Sequence, residues 1–130
     1  MFEKFQVKLL RLKTGQDLIC FCYEDFSTNS YHIKLVKQIS TNYDDETLED
    51  EYYLSDWMDP NIFAYPSVKI CKDQVLFCTY ATVYFGAIYL EQLLEEPDLD
   101  EELVEGIRET LQNISDSLDE KLNPTNKTLH

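Results

Sequence analysis

Polar and apolar residues alternate over the first forty positions, the period expected of strands that bury one face. Phe5, Val7 and Leu9 fall on one side and Lys4 and Lys8 on the other, which predicts a first strand, and Leu10 and Leu12 add apolar cover to its second face. Lys13-Thr14-Gly15-Gln16 supplies a turn. From Asp17 to Glu24, Leu18, Cys20 and Cys22 share one face while Ile19, Phe21 and Tyr23 share the other, the pattern of a central or interface strand covered on both sides. Asp25 to Ser30 is turn chemistry, and a third strand follows with Tyr31, Ile33 and Leu35 opposite His32, Lys34 and Val36. This third strand is expected to form a hairpin with the second. Thr41 to Glu51 holds six carboxylates and almost nothing to bury, so a solvated loop or hairpin tip is expected there. Alternation resumes at Tyr52, Leu54 and Trp57, and Pro60 and Pro66 bracket an irregular stretch with Ile62, Phe63 and Tyr65. Val68 with Ile70, and Val75 to Cys78, predict two more short strands. Five short strands with tight connections suggest a small barrel.

Beyond Cys78 the period lengthens to that of a helix. Thr79 or Thr82 can cap a segment carrying Val83, Ala87, Leu90 and Leu94, and Tyr80, Tyr84, Ile88 and Tyr89 make it apolar nearly all round, which predicts burial on more than one side. Leu99, Leu103, Ile107, Leu111, Ile114 and Leu118 then recur at three and four residues with acids between them, the pattern of an amphipathic helix. Asp98 as cap with Glu101 three residues on is a start signal, and Asn123-Pro124 is a stop. The short link Glu95-Glu96-Pro97 makes an antiparallel helical pair the nearest way to cover the stripe of Leu103, Ile107, Leu111 and Ile114. The expected organisation is a β-barrel over residues 1–79, a helical hairpin over 80–122 and a frayed tail over 123–130.

Charge is the unusual feature of the 130-residue chain: 25 acidic against 11 basic residues leave a formal net charge of −14. Such a surface repels nucleic acid and anionic membranes unless its few cations are gathered in one place. Up to residue 90 there are 8 basic and 13 acidic residues, a net −5; from residue 91 on there are 3 and 12, a net −9. Most of the repulsion therefore lies in the helices, which offer an acidic surface to a basic protein partner. With 44% hydrophobic residues the chain has apolar area enough to fold without staples. The start MFEKFQVKLL reads as neither signal peptide nor membrane span, so a cytoplasmic protein with reduced thiols is expected.

Candidate chemistry is sparse. Cys20, Cys22, Cys71 and Cys78 number enough for a zinc site, but Cys20-Phe21-Cys22 lacks the usual two-residue gap, and core thiols are the expectation. His32 and His130 alone assemble no triad, and Gly15, Gly86 and Gly106 form neither a dinucleotide fingerprint nor a phosphate loop. No catalytic residue, metal or cofactor is assigned, and no enzyme is expected.

Two segments resemble the Sm-like family, in the variant forms carried by cyanophages and related tailed phages. Val7 to Ile19, with Leu12-Lys13-Thr14-Gly15, looks like the family's opening strand, turn glycine and second strand; Ile70 to Cys78 is similar in apolar spacing to its late signature. Leu54 to Pro60, with Trp57-Met58, resembles a Trp-Met-Pro region of the phage variants. The resemblance, over residues 5 to 79, implies a strongly bent five-stranded Sm-like (SH3-like) barrel. It also implies a homo-oligomeric ring of about five to seven subunits, closed by pairing the fourth strand of one subunit with the fifth of the next. Val75, Leu76 and Phe77, as an apolar last strand, would lie at that interface.

The family's ligand class is single-stranded RNA, met by an Asp or His and an Asn after the second strand and by Arg-Gly before the last. Asp25 and Asn29 keep the spacing of the first pair, one residue short of the usual register, whereas Cys71-Lys72 stands where Arg-Gly is expected. Cysteine neither stacks on a base nor forks onto phosphate, which leaves Lys72 to attract phosphate and Tyr31 to stack. Two functions follow as expectations. One is a non-enzymatic RNA-binding ring of phage or host regulation, in the host cytoplasm if phage-encoded. The other is a ring that has lost RNA and docks a basic protein through its acidic helices.

Overall fold

The computed structural model describes residues 4–58, 67–96 and 99–122, the last of these helical turns (118–122) as backbone only. The protein is mainly β, with a six-stranded antiparallel sheet followed by two helices. It divides into two compact units, Met1–Ala81 and Thr82–His130.

Strand β1 (Gln6–Leu12) and strand β2 (Asp17–Asp25) pair through a tight turn in which the Gly15 N–H donates to the Leu12 carbonyl at 2.9 Å. Gly15 has φ 92°, a conformation that side chains penalise, so the turn requires this glycine. β2 pairs in turn with strand β3 (Ser30–Asp44), across a turn where Asp25 Oδ1 accepts from the Ser27 N–H at 3.1 Å and its hydroxyl at 2.6 Å. The two-sided apolar pattern of β2 is matched by its burial: Leu18, Ile19, Cys20, Phe21 and Cys22 are all buried.

The sheet has six strands where five were expected, because Glu49–Asp56 is itself a strand, paired with a continuation of β3 beyond the predicted Val36. The first part of β3 pairs with strand β5 (Ser67–Cys71), from Ser30 to Lys34. Its second part pairs with strand β4 (Glu49–Asp56), from Lys37 to Asp44. The change of partner falls at Leu35, whose φ is 54°, and beside it the β2–β3 register shifts between Ile19 and Phe21. One bulge thus re-aims the strand, which is how a long strand serves two neighbours. The acidic segment is the tip of this β3–β4 hairpin, turned over residues 45–48, so the hairpin-tip expectation holds there. The irregular stretch with Ile62, Phe63 and Tyr65 lies outside the described residues. After a single 3-10 turn (Lys72–Gln74), strand β6 (Val75–Tyr80) pairs with β1 and completes the order β4-β3-β2-β1-β6, with β5 beside β3.

The core of this unit is Leu10, Leu12, Leu18, Cys20, Cys22 and Ile33, flanked by Tyr31, Val36, Trp57, Val68, Ile70, Val75 and Cys78. Both faces of β1 are covered, as expected, with Val7 and Leu9 paired with the buried Phe21 and Ile19. The predicted apolar face of Phe5, Val7 and Leu9 is only half-buried; the core lies on the Lys8 side, through Leu10 and Leu12. Two leucines at the end of β1 outweigh three apolar residues nearer its start, because pairing with Leu18 and Cys78 sets Leu10 against the core.

In the second unit, helix α1 (Val83–Leu94) is capped by Thr82, whose hydroxyl accepts from the Phe85 N–H at 3.2 Å. Its expected burial on several sides is not observed: Tyr89, Leu90 and Leu93 are buried, whereas Tyr84 is 76% exposed. Helix α2 (Glu101–Leu122) packs on α1. Ile107, the middle of the predicted stripe, is buried completely, with Leu103, Leu111 and Ile114 half-buried around it. The predicted cap Asp98 and the predicted stop at Asn123-Pro124 lie outside the described residues. The observed helix begins two residues later than that cap implies, with Asp100 accepting from the Glu102 N–H at 3.3 Å. Among the described residues, no helix is long and apolar enough to cross a membrane.

Candidate functional site

Side chains at paired positions of adjacent antiparallel strands lie on one face of the sheet. Leu10 is paired with Leu18 and with Cys78, which places all three on the core face. Two residues back along β1, Lys8 is paired with Cys20 and Tyr80, and Gln6 is paired with Cys22. The stripe that begins as leucine therefore ends as lysine and glutamine, and the core face turns polar at this end of the strands. The same face of the neighbours carries Glu24 and Tyr31, themselves a pair, with Tyr31 opposite Ile70.

Three of the four residues predicted to meet RNA, Tyr31, Lys72 and Asn29, gather here, whereas Asp25, next to Glu24 on β2, faces the other side of the sheet with Tyr23 and His32. Tyr31 is half-buried, and burial pushes its hydroxyl pKa up from the ordinary value. Lys72, in the 3-10 turn, reaches across to form an ion pair with Glu24, and its Nζ lies 4.5 Å from the centre of the Phe26 ring and 5.7 Å from that of Tyr31. Asn29, at φ 53° in the β2–β3 turn, accepts from the Lys72 backbone N–H at 3.0 Å, which fastens the 3-10 turn to the hairpin. Asp25 is held by Ser27 and, at 3.1 Å, by His32 Nε2; these hydrogen bonds, Ser27 first, depress its carboxyl pKa well below the usual carboxylate range.

The sequence did not single out His32, whose ring stacks on Tyr23 with centroids 4.5 Å apart and planes 2° apart. Tyr23 meets Phe5 edge-on at 4.8 Å, and Lys34 Nζ lies 4.1 Å from the Phe5 centroid. The signal was the hairpin itself, since pairing Asp25 with Ser30 sets Tyr23 against His32 two residues away. A depression of about 510 Å³ is lined by Lys4, Gln6, Lys8, Tyr23, Glu24, Asp25 and Phe26.

Val75, Leu76 and Phe77, the predicted interface residues, stand on edge strand β6, with Leu76 59% and Phe77 45% exposed and Arg11 over the Phe77 ring at 5.3 Å. Cys20, Cys22 and Cys78 lie in or against the core, whereas Cys71 is exposed. Hydrogen bonding to Cys20, aided by burial, pushes the Cys22 thiol up to about 12, and contact with Cys22 together with burial raises Cys78 as well. Cys22 and Cys78 therefore favour the protonated form, which is a poor nucleophile. Among the described residues no group of three His, Cys, Asp or Glu side chains is arranged to hold a metal ion.

Compared with known proteins, the chain matches no family model and no curated sequence. Its chemistry has to be read from the geometry above.

Proposed function

We propose that the protein is a non-enzymatic, Sm-like ring module of the phage type that binds single-stranded RNA at the polar end of its core face. The observation that carries this reading is the convergence of Tyr31, Lys72 and Asn29, from two distant segments, around one aromatic and cationic rim. Base stacking and phosphate attraction are what single-strand recognition needs, and both side-chain types are present. The sheet order supports an Sm-like bent barrel, since β3 changes partner at a bulge and leaves β6 and β5 as strands with pairing capacity. Closing a ring through those strands would satisfy the exposed edge of β6 and cover Leu76 and Phe77. Cytoplasmic location belongs to the same reading.

The test is a titration of labelled single-stranded RNA at low salt, read beside light scattering for mass. A ring mass and saturable binding are expected; a monomer at micromolar protein, or no binding, defeats the reading. Leu76→Pro removes a ladder donor and should abolish assembly.

A second reading has its own support. Lys72 is already ion-paired with Glu24, and the helical unit carries the larger share of the negative charge. In this alternative the ring has lost RNA and docks a basic protein on its acidic helices. Assembly without RNA binding, together with salt-sensitive capture of a Lys-rich peptide lost on reversing Glu101 and Glu105 to Lys, would favour it.

A further inference from the structure

The depression beside the rim holds two ammonium groups with no carboxylate of their own. Lys4 Nζ lies 5.8 Å from the Tyr23 ring centre and Lys8 Nζ 4.8 Å from that of Tyr80, and neither makes an ion pair among the described residues. The two carboxylates in the same lining are engaged elsewhere, Glu24 by Lys72 and Asp25 by Ser27 and His32. In a chain with 25 acids and 11 bases, cations left over inside a depression are a departure from the overall charge balance. The lining also offers flat apolar surface: Phe26 is 80% exposed at the turn, and Tyr23 lies under Lys4. Gln6 Oε1 accepts from the Tyr80 hydroxyl at 3.1 Å, which steadies the ring that Lys8 covers.

An anionic group with a planar apolar body is what such a lining complements. We propose that this depression is a nucleotide site, in which Lys4 and Lys8 receive a phosphate and Phe26 stacks on the base. The carboxylates of Glu24 and Asp25 keep phosphate to the lysine side by like-charge repulsion. The nucleotide is either free or one unit of a single strand. In the second case the inference rests on the RNA reading and deepens it: Lys4 and Lys8, not the internally paired Lys72, supply the phosphate contacts.

The experiment uses the full chain with two probes, adenosine monophosphate and a labelled nine-nucleotide single-stranded RNA, and follows backbone amide shifts and fluorescence anisotropy. The variants are Lys4→Ala/Lys8→Ala and, at the exposed turn, Phe26→Ala, each checked for the parent's circular dichroism. Adenosine monophosphate should shift Gln6, Lys8 and Phe26 amides. The double lysine variant should bind RNA about tenfold more weakly at low salt, with a salt slope lower by about 0.7 per lysine removed. Amide shifts with the mononucleotide but no RNA binding would support a free-nucleotide site and defeat the RNA reading. RNA binding with unchanged affinity and salt slope in both variants would overturn this inference and leave the RNA reading standing. No response to either probe overturns both.

Discussion

Strand β3 is one continuous element with two unlike halves. From Ser30 to Ile39 it lies within the sheet, buries Ile33 completely, and carries Tyr31 beside Lys72. From Ser40 to Tyr43 it pairs only with β4, and its side chains are exposed, as are those of Glu49 to Tyr53 opposite. Between Lys37 and Lys69 there is no basic residue, while Asp44, Asp45, Glu46, Glu49, Asp50, Glu51, Asp56 and Asp59 all fall there. Pairing with β4 carries the ribbon outward with its side chains exposed, whereas complete burial belongs to the other half. The difference teaches that strand content and core are separable here, and that the negative charge of this unit is drawn away from the end that gathers cations.

The most forceful way to break this contrast is truncation on both sides of it. Ile33→Ala should cost about 2 to 5 kcal/mol, the loss of a fully packed side chain plus the cavity it leaves, while Tyr43→Ala should stay within about 0.5 kcal/mol. Urea denaturation measures both, and equal costs would mean that the ribbon is packed as firmly as the sheet.

Where the halves join, Lys37 is buried at 7% exposure and its Nζ donates to Asp56 Oδ1 at 2.6 Å. Asp56 is half-exposed, so water can partly replace it. Asp56→Ala should destabilise by about 1 to 2 kcal/mol in the same assay, below the cost of an ion pair broken in full burial. No change would show that Lys37 is neutralised by other neighbours.

At the ribbon tip, Leu48 adopts φ 59°, a left-handed conformation unfavourable for a branched side chain, and is 72% exposed. Leu48→Gly should raise stability by less than about 1 kcal/mol, seen as a small rise in Tm. A fall would show that the leucine makes contacts of value in the folded chain.

Thiol reactivity sharpens the comparison without a stability term. Cys71 is exposed on β5, whereas Cys20 and Cys22 are buried and Cys78 packs on the core. Alkylation of the native protein at pH 8 should give one adduct, at Cys71, by mass spectrometry. The raised Cys22 thiol favours the fold below about pH 9, its ordinary value, and that contribution fades as pH climbs towards 12. Rapid labelling of Cys22 at pH 8 would contradict the packing described.

What could be read from sequence follows the same division. β2 was legible because both of its faces are apolar and both are buried. The exposed ribbon was legible only in part: Tyr52 and Leu54 gave a short alternation, while the acids around them announced only a solvated tip. β1 was legible as covered on both faces, although the change of its Leu10 stripe to Lys8 and Gln6 was not read as the polar end of the core face. Asp25 and Asn29 were legible as turn residues. Their partners were not: His32 meets Asp25 only through hairpin register, and Glu24 meets Lys72 only because β5 returns beside β3.

Ultraviolet crosslinking of the nine-nucleotide RNA, followed by peptide mass spectrometry, tests most directly the claim that recognition belongs to the cationic end. Adducts are predicted at Phe26, Tyr31 or Tyr80, with none at Tyr43, Tyr52 or Tyr53 of the ribbon. Adducts concentrated on the ribbon tyrosines, or none anywhere on the protein, would contradict it.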